Sequence, residues 1–312
     1  MNLGVAGARP RTLPAAVAPV AVGTACAVGL VPGGLIWWRA VAALVVALAI
    51  QVATNFSNDY SDGIRGTDSD DRRVGPVRLV GQGLASPAAV KRAALASFGV
   101  AALAGLGLTL VVGPELLAVA GRVGTILALA VGPELFVVGA AAIAAGWFYT
   151  GGPRPYGYAG LGEAFVFVFF GLVATVGSTY VQTDTLVGLS FGAAVPVGLI
   201  ATALLVINNL RDIPGDTVAG KRTLAVRLGD RRTRILYVTL VVGTFGAVPL
   251  VAGLGGRPAG ALALGAILLA QRPVLEVLQG AKGPALIPVL GATGRAQLIF
   301  GLLLSVGLAL SG

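Results

Sequence analysis

Long apolar runs recur along the whole chain, separated by short polar stretches. They lie near residues 13–31, 37–57, 92–112, 133–150, 162–181, 187–208, 235–254, 259–277 and 294–311. A helix needs about 20 apolar residues to cross a bilayer. The pattern therefore predicts an all-α membrane protein of about nine transmembrane helices, forming one polytopic domain over residues 1–312. One segment breaks the rhythm. VGPEL occurs twice, at Val112–Leu116 and Val131–Leu135. A complete extra span between the repeats would reverse every later loop, so residues 113–131 read as an insertion on the outer side.

Composition agrees with this class. The mean hydropathy is +0.89, and only 11% of residues are charged, against about 25% in soluble domains. The net charge of +9 raises the question of nucleic acid, but the basic residues crowd beside the spans. All 22 Lys and Arg except Arg39, Arg122 and Arg257 fall on the side that carries the N-terminus and the loops near 58–91, 151–161, 209–234 and 278–293. By the positive-inside rule, that side is cytoplasmic and the membrane is the inner, cytoplasmic one. Arg9 and Arg11 precede an apolar run broken by Pro14 and Pro19. No cleavage site follows, so this segment reads as a first span and not as a signal peptide. Histidine is absent and Cys26 is the only cysteine. That excludes Ser-His-Asp triads, a disulfide framework and ordinary zinc sites.

Two acidic clusters stand at the ends of apolar runs. The first is NFSNDYSDGIRGTDSDD, Asn55–Asp71. Asn55, Asp59 and Asp62 are spaced i, i+4, i+7, which places them on one side of a helix; Asn58 pairs with Asp62 in the same way. The second is NNLRDIPGDTVAGKRTLAVRLG, Asn208–Gly229, where Asn208, Asp212 and Asp216 are spaced i, i+4, i+8. Pro214 predicts a kink or an end there, with Asp216 presented from a turn. Four spans separate the clusters, so both emerge on one side. Arg65, Arg72, Arg73 and Arg78 follow the first, and Lys221, Arg222 and Arg227 the second. Carboxylates and amide oxygens suit Mg²⁺, which keeps waters and takes phosphate oxygens. Arg and Lys suit the phosphates themselves. Together they describe a site for a diphosphate bridged by metal ions, which neutralise a leaving group.

At these residues the chain resembles the UbiA superfamily of intramembrane prenyltransferases, whose two Asp motifs lie on cytoplasmic loops beneath nine helices around a central cavity. Asn58-Asp59-Tyr60-Ser61-Asp62 matches the first motif, with Gly66 where a third Asp is usual and Asp68 just beyond. Asp212 and Asp216 match the second. Within the family, the stretches Ala8–Ala25, GPVRLVGQGLAS, Tyr149–Glu163 and Asn208–Gly229 are similar to the branch that prenylates 1,4-dihydroxy-2-naphthoate in menaquinone synthesis. The resemblance implies transfer of a polyprenyl group from an allylic polyprenyl diphosphate to that acid, with loss of its carboxylate. It implies two Mg²⁺ ions held by Asn55, Asn58, Asp59, Asp62, Asp212 and Asp216, with Asp59, Asp62, Asp212 and Asp216 the catalytic carboxylates. It points to Arg65, Arg72, Arg154, Lys221 and Arg222 for the diphosphate, and to Tyr149, Asn208 and Glu163 for the acceptor. Tyr149 is also explained as an interfacial tyrosine, and Glu163 as a residue favouring a helix N-terminus.

Two other readings compete. A relative acting on 4-hydroxybenzoate or homogentisate would share the metal motifs. A cation-coupled transporter would place its ligands near mid-membrane, at broken helices, whereas these Asp residues lie at span ends.

Overall fold

A computed structural model describes residues 3–67, 77–111 and 133–312. The inserted segment 113–131, Asp68 and Arg72 lie outside the described residues. In chain order the elements are α1 (Leu3–Ala8), α2 (Pro14–Cys26), α3 (Trp37–Ile64), α4 (Pro87–Val111), α5 (Pro133–Phe148), α6 (Gly162–Thr183), α7 (Gly188–Val218), α8 (Leu224–Leu254), α9 (Pro258–Leu278) and α10 (Leu286–Leu310). No strand occurs among the described residues. Seven helices there are long and apolar enough to cross a membrane: α3, α4 and α6 to α10. Apolar α2 and α5 are shorter. Each expected apolar run contains a helix, but the runs near 13–31 and 133–150 hold only the shorter α2 and α5, so seven of the nine expected spans are of full crossing length among the described residues.

α3 and α7 are 28 and 31 residues long. At 1.5 Å per residue each exceeds the roughly 30 Å hydrocarbon layer. The surplus is the polar end that carries the aspartates. Both helices finish in the same way. Gly66 and Gly220 each adopt φ of 70°. The amide of Thr67 reaches back to the Asp62 carbonyl (3.1 Å), and that of Lys221 to the Asp216 carbonyl (2.8 Å). These are Schellman caps, which need a left-handed residue that glycine supplies without strain. The first explains why glycine stands where a third Asp is usual. The second corrects the expectation about Pro214: α7 runs through that proline to Val218, so Asp212 and Asp216 both project from one continuous helix. Pro214 forfeits the one bond its own N–H would have donated to residue 210, and the helix continues beyond it to the Gly220 cap.

The main hydrophobic core joins α2, α7, α8, α9 and α10, and includes Val22, Val197, Ile207, Tyr237, Phe300 and Leu304. α7 is its centre, with 72% of its most apolar stretch buried, against 28% for α3, α4 and α6. α6 crosses α7 with Gly171 against Gly198, so close that a Cβ on Gly171 would lie 2.6 Å from the Gly198 Cα. At this crossing α6 widens into a π-helical stretch, Phe167–Val173. The remaining helices, α3 to α6, enclose a cavity together with α2 and α7.

Candidate active site

The cavity has a volume of about 360 Å³. Its two ends differ in chemistry. One end is lined by Arg9, Asn55, Asn58, Asp62, Arg78, Asn208, Asp212, Asp216 and Lys221. The other is apolar and runs down α3 to α6, past Phe169 and Val173, to Ala43, Val46, Leu108, Leu135 and Val181. These last five side chains belong to one cluster where α3, α4, α5 and α6 meet.

The polar end is built by the capped ends of α3 and α7. Asp62 and Asp216 each lie in the last turn, where the helix dipole is already negative and a carboxylate is unfavourable. Cations offset that cost. Lys221 stands between the two, 3.1 Å from Asp62 and 3.8 Å from Asp216. The Arg78 guanidinium comes within 3.8 Å of Asp62. Arg211 forks onto both oxygens of Asp212 at 2.7 Å and donates to Asn208 at 3.0 Å. Tyr158 donates its hydroxyl to Asp62, and its ring lies under Lys221 (4.7 Å) and Arg65 (5.4 Å). Burial, and then the Asp62 carboxylate, push the Tyr158 hydroxyl above its ordinary pKa, so it stays protonated and keeps donating.

The expected residues divide into two groups. Asn55, Asn58, Asp62, Asn208, Asp212, Asp216, Lys221 and Tyr149 line one cavity. Asp59, Arg65, Arg154, Glu163 and Arg222 do not. Asp59 faces the backbone of residues 79–80. It and Asp62 are three residues apart, which turns them roughly 60° from each other at 100° per residue. The i, i+4, i+7 spacing concealed that divergence. Arg65 donates to the carbonyls of Thr150 and Gly152. Glu163 is buried and accepts from Asn209 at 2.9 Å. Arg154 and Arg222 are exposed. In the other direction, Arg9, Tyr158 and Arg211 were not singled out. Arg211 sits beside Asp212 in sequence, so its pairing was legible. Arg9 precedes the first apolar run, where its charge reads as that of a flanking residue, and nothing in the spacing marks Tyr158.

Among the described residues no three acidic side chains converge on a single point. The donor set still fits Mg²⁺, which takes one or two carboxylates and completes its shell with water and phosphate oxygens. Asn58 and Asp62 offer oxygen from α3, and Asn208, Asp212 and Asp216 from α7. Beside them runs an aromatic series. Tyr149 meets Tyr156 edge-on (5.5 Å), Tyr156 stacks on Phe165 (3.9 Å), and Phe165 on Phe169 (6.0 Å).

A helical membrane fold with an ionic mouth opening into an apolar slot defines a protein that handles a charged head on an oily tail. The UbiA prenyltransferase family profile matches residues 16–279, and the chain belongs to that family. Among relatives, a 1,4-dihydroxy-2-naphthoate octaprenyltransferase of Mycobacterium tuberculosis is 48% identical over 98% of this chain and 96% of its own length. The Escherichia coli protein of the same name is 35% identical over 97% and 94%. Among solved structures, a UbiA homolog from Archaeoglobus fulgidus bound to DMAPP and Mg²⁺ superposes with a TM-score of 0.59. It has 16% identity and covers 97% of this chain and 99% of that one. That likeness is one of fold.

Proposed function

We propose that this protein transfers a polyprenyl group from an allylic polyprenyl diphosphate to 1,4-dihydroxy-2-naphthoate. The carboxylate is lost, and a demethylmenaquinone skeleton results. The observation that carries the reading is the joining of the carboxylate and cation mouth to the apolar slot in one cavity. The relatives named for this reaction support the choice of acceptor.

Asn58, Asp62, Asp212 and Asp216 supply oxygens for Mg²⁺, with Asn208 beside them. When bound with the diphosphate, Mg²⁺ neutralises charge on the leaving group. Lys221, Arg78 and Arg9 face the same space and hold the diphosphate oxygens. The allylic C–O bond breaks, and its electron pair leaves with the diphosphate. A ring carbon of the electron-rich naphthoate forms the new bond to the allyl carbon, and the carboxylate departs as carbon dioxide. Tyr149, Tyr156 and Phe165 offer aromatic faces to the flat acceptor. The apolar walls exclude water, which would otherwise capture the allyl cation. Tyr158 stays neutral and keeps Asp62 oriented. The basic side of the chain sets the mouth in the cytoplasm and the helices in the cell membrane.

The test uses purified protein in detergent with Mg²⁺, a polyprenyl diphosphate and either 1,4-dihydroxy-2-naphthoate or 4-hydroxybenzoate, with products read by mass spectrometry. A decarboxylated, prenylated naphthoquinol that disappears on adding EDTA is expected. Product from 4-hydroxybenzoate alone would overturn the acceptor. Unchanged turnover in EDTA would overturn the metal.

A further inference from the structure

Asp59 stands apart from the carboxylates of the mouth. Its side chain is fully buried and is absent from the cavity wall. One oxygen accepts the backbone N–H of Leu79 at 2.9 Å, the other that of Val80 at 3.1 Å. The segment it holds is otherwise tied down locally. The Leu79 side chain is buried against Phe56, Val90 and Ala94. The Ala85 amide turns back to the Leu79 carbonyl at 2.9 Å, and the Gln82 amide to that of Arg78 at 3.0 Å. Arg78 immediately precedes the two clamped amides. Its own side chain is buried, lines the mouth and approaches Asp62.

The same helix repeats the device one turn earlier. Asn55 donates to the Ala8 carbonyl at 2.9 Å and to Thr12 Oγ1 at 3.0 Å. These partners bracket Arg9, which also lines the mouth. Both Asp59 oxygens are taken up by the loop's backbone in charge-assisted bonds, and, unlike Asp212, whose oxygens are also paired, Asp59 has no place in the cavity wall.

We propose that Asp59 is a positioning residue and not a metal ligand: it clamps the Leu79–Val80 backbone and so sets Arg78 beside Asp62 at the diphosphate end of the cavity. The inference rests on the reading of that end as a diphosphate site.

The full chain in detergent tests it, as wild type, Asp59→Ala, Asp59→Asn and Asp62→Asn. Amide hydrogen exchange across residues 77–86 is measured without Mg²⁺ or substrate. Turnover is then measured against Mg²⁺ and against polyprenyl diphosphate. Losing a charged acceptor from one buried and one part-buried amide should speed exchange at Leu79 and Val80 by about tenfold or more in Asp59→Ala. Asp59→Asn keeps one acceptor oxygen and should fall between; it also carries the test if the alanine variant does not fold. KM for the diphosphate should rise about tenfold as Arg78 loses its place, with half-saturating Mg²⁺ within about twofold of wild type. Asp62→Asn should instead shift the Mg²⁺ dependence and leave the Leu79 and Val80 amides protected. Wild-type exchange in both Asp59 variants, together with a shifted Mg²⁺ dependence, would overturn the clamp. If the wild-type protein transfers no prenyl group, the proposed reaction fails. Exchange at Leu79 and Val80 then still decides whether Asp59 holds the loop.

Discussion

Lys221 is the residue on which the mouth turns. It joins Asp62 of α3 to Asp216 of α7 and rests on the Tyr158 ring. Lys221→Ala would leave two buried carboxylates facing each other at negative helix ends. We expect kcat/KM to fall about 100-fold or more, with Lys221→Arg recovering part of it, both measured by initial rates. Tyr158→Phe keeps the ring beneath the cations and removes one hydrogen bond to Asp62. It should cost about tenfold and leave the shape of the rate profile between pH 6 and 9 unchanged, because the raised pKa keeps the hydroxyl neutral there. At this scale the sequence was readable where polar residues repeat along a helix, as with Asn58 and Asp62 or Asp212 and Asp216. It was unreadable where partners come from distant loops. Tyr158 lies 96 residues from the carboxylate it touches, and no local pattern encodes that meeting. The i, i+4, i+7 series joined Asp59 to Asp62 because spacing alone cannot show which neighbour each side of a helix meets.

Among elements, the crossing of α6 and α7 sets how closely the cavity wall approaches the central helix. Gly171→Val would press a branched side chain on the Gly198 backbone. A loss of about 1–3 kcal/mol is expected from overpacking, read as a lower Tm in detergent. Gly192→Ala adds its methyl to open space and should not lower Tm. The helices themselves were legible because apolar runs near twenty residues have few other solutions in lipid. The end of α7 was less so, since proline lowers helix propensity in any window but the cap at Gly220 fixes where this helix stops. The π-helical stretch in α6 left no sign in the apolar pattern, because FVFFGLV is oily on every side. Widening there depends on what α7 presents to it.

On the scale of the whole molecule, orientation is a directly measurable consequence of the basic side. Cys26 is buried, so added cysteines can report on each face. Thr217 at the mouth end of α7 and Thr185 between α6 and α7 are both exposed. In intact cells, Thr185→Cys should react with a membrane-impermeant maleimide, and Thr217→Cys only after permeabilisation. The opposite pattern would invert the assignment drawn from the basic residues. The core joins α2 to α7–α10, whereas α3–α6 contribute no residue to it. Asp212, Asp216 and Lys221 therefore belong to one packing unit, and Asn58 and Asp62 to the other, which walls the slot. A head group gripped by both would tie the two units together at the mouth. Once the diphosphate has left, that tie is gone, and the two units stay joined at the mouth through Lys221, which reaches Asp62 on one side and Asp216 on the other.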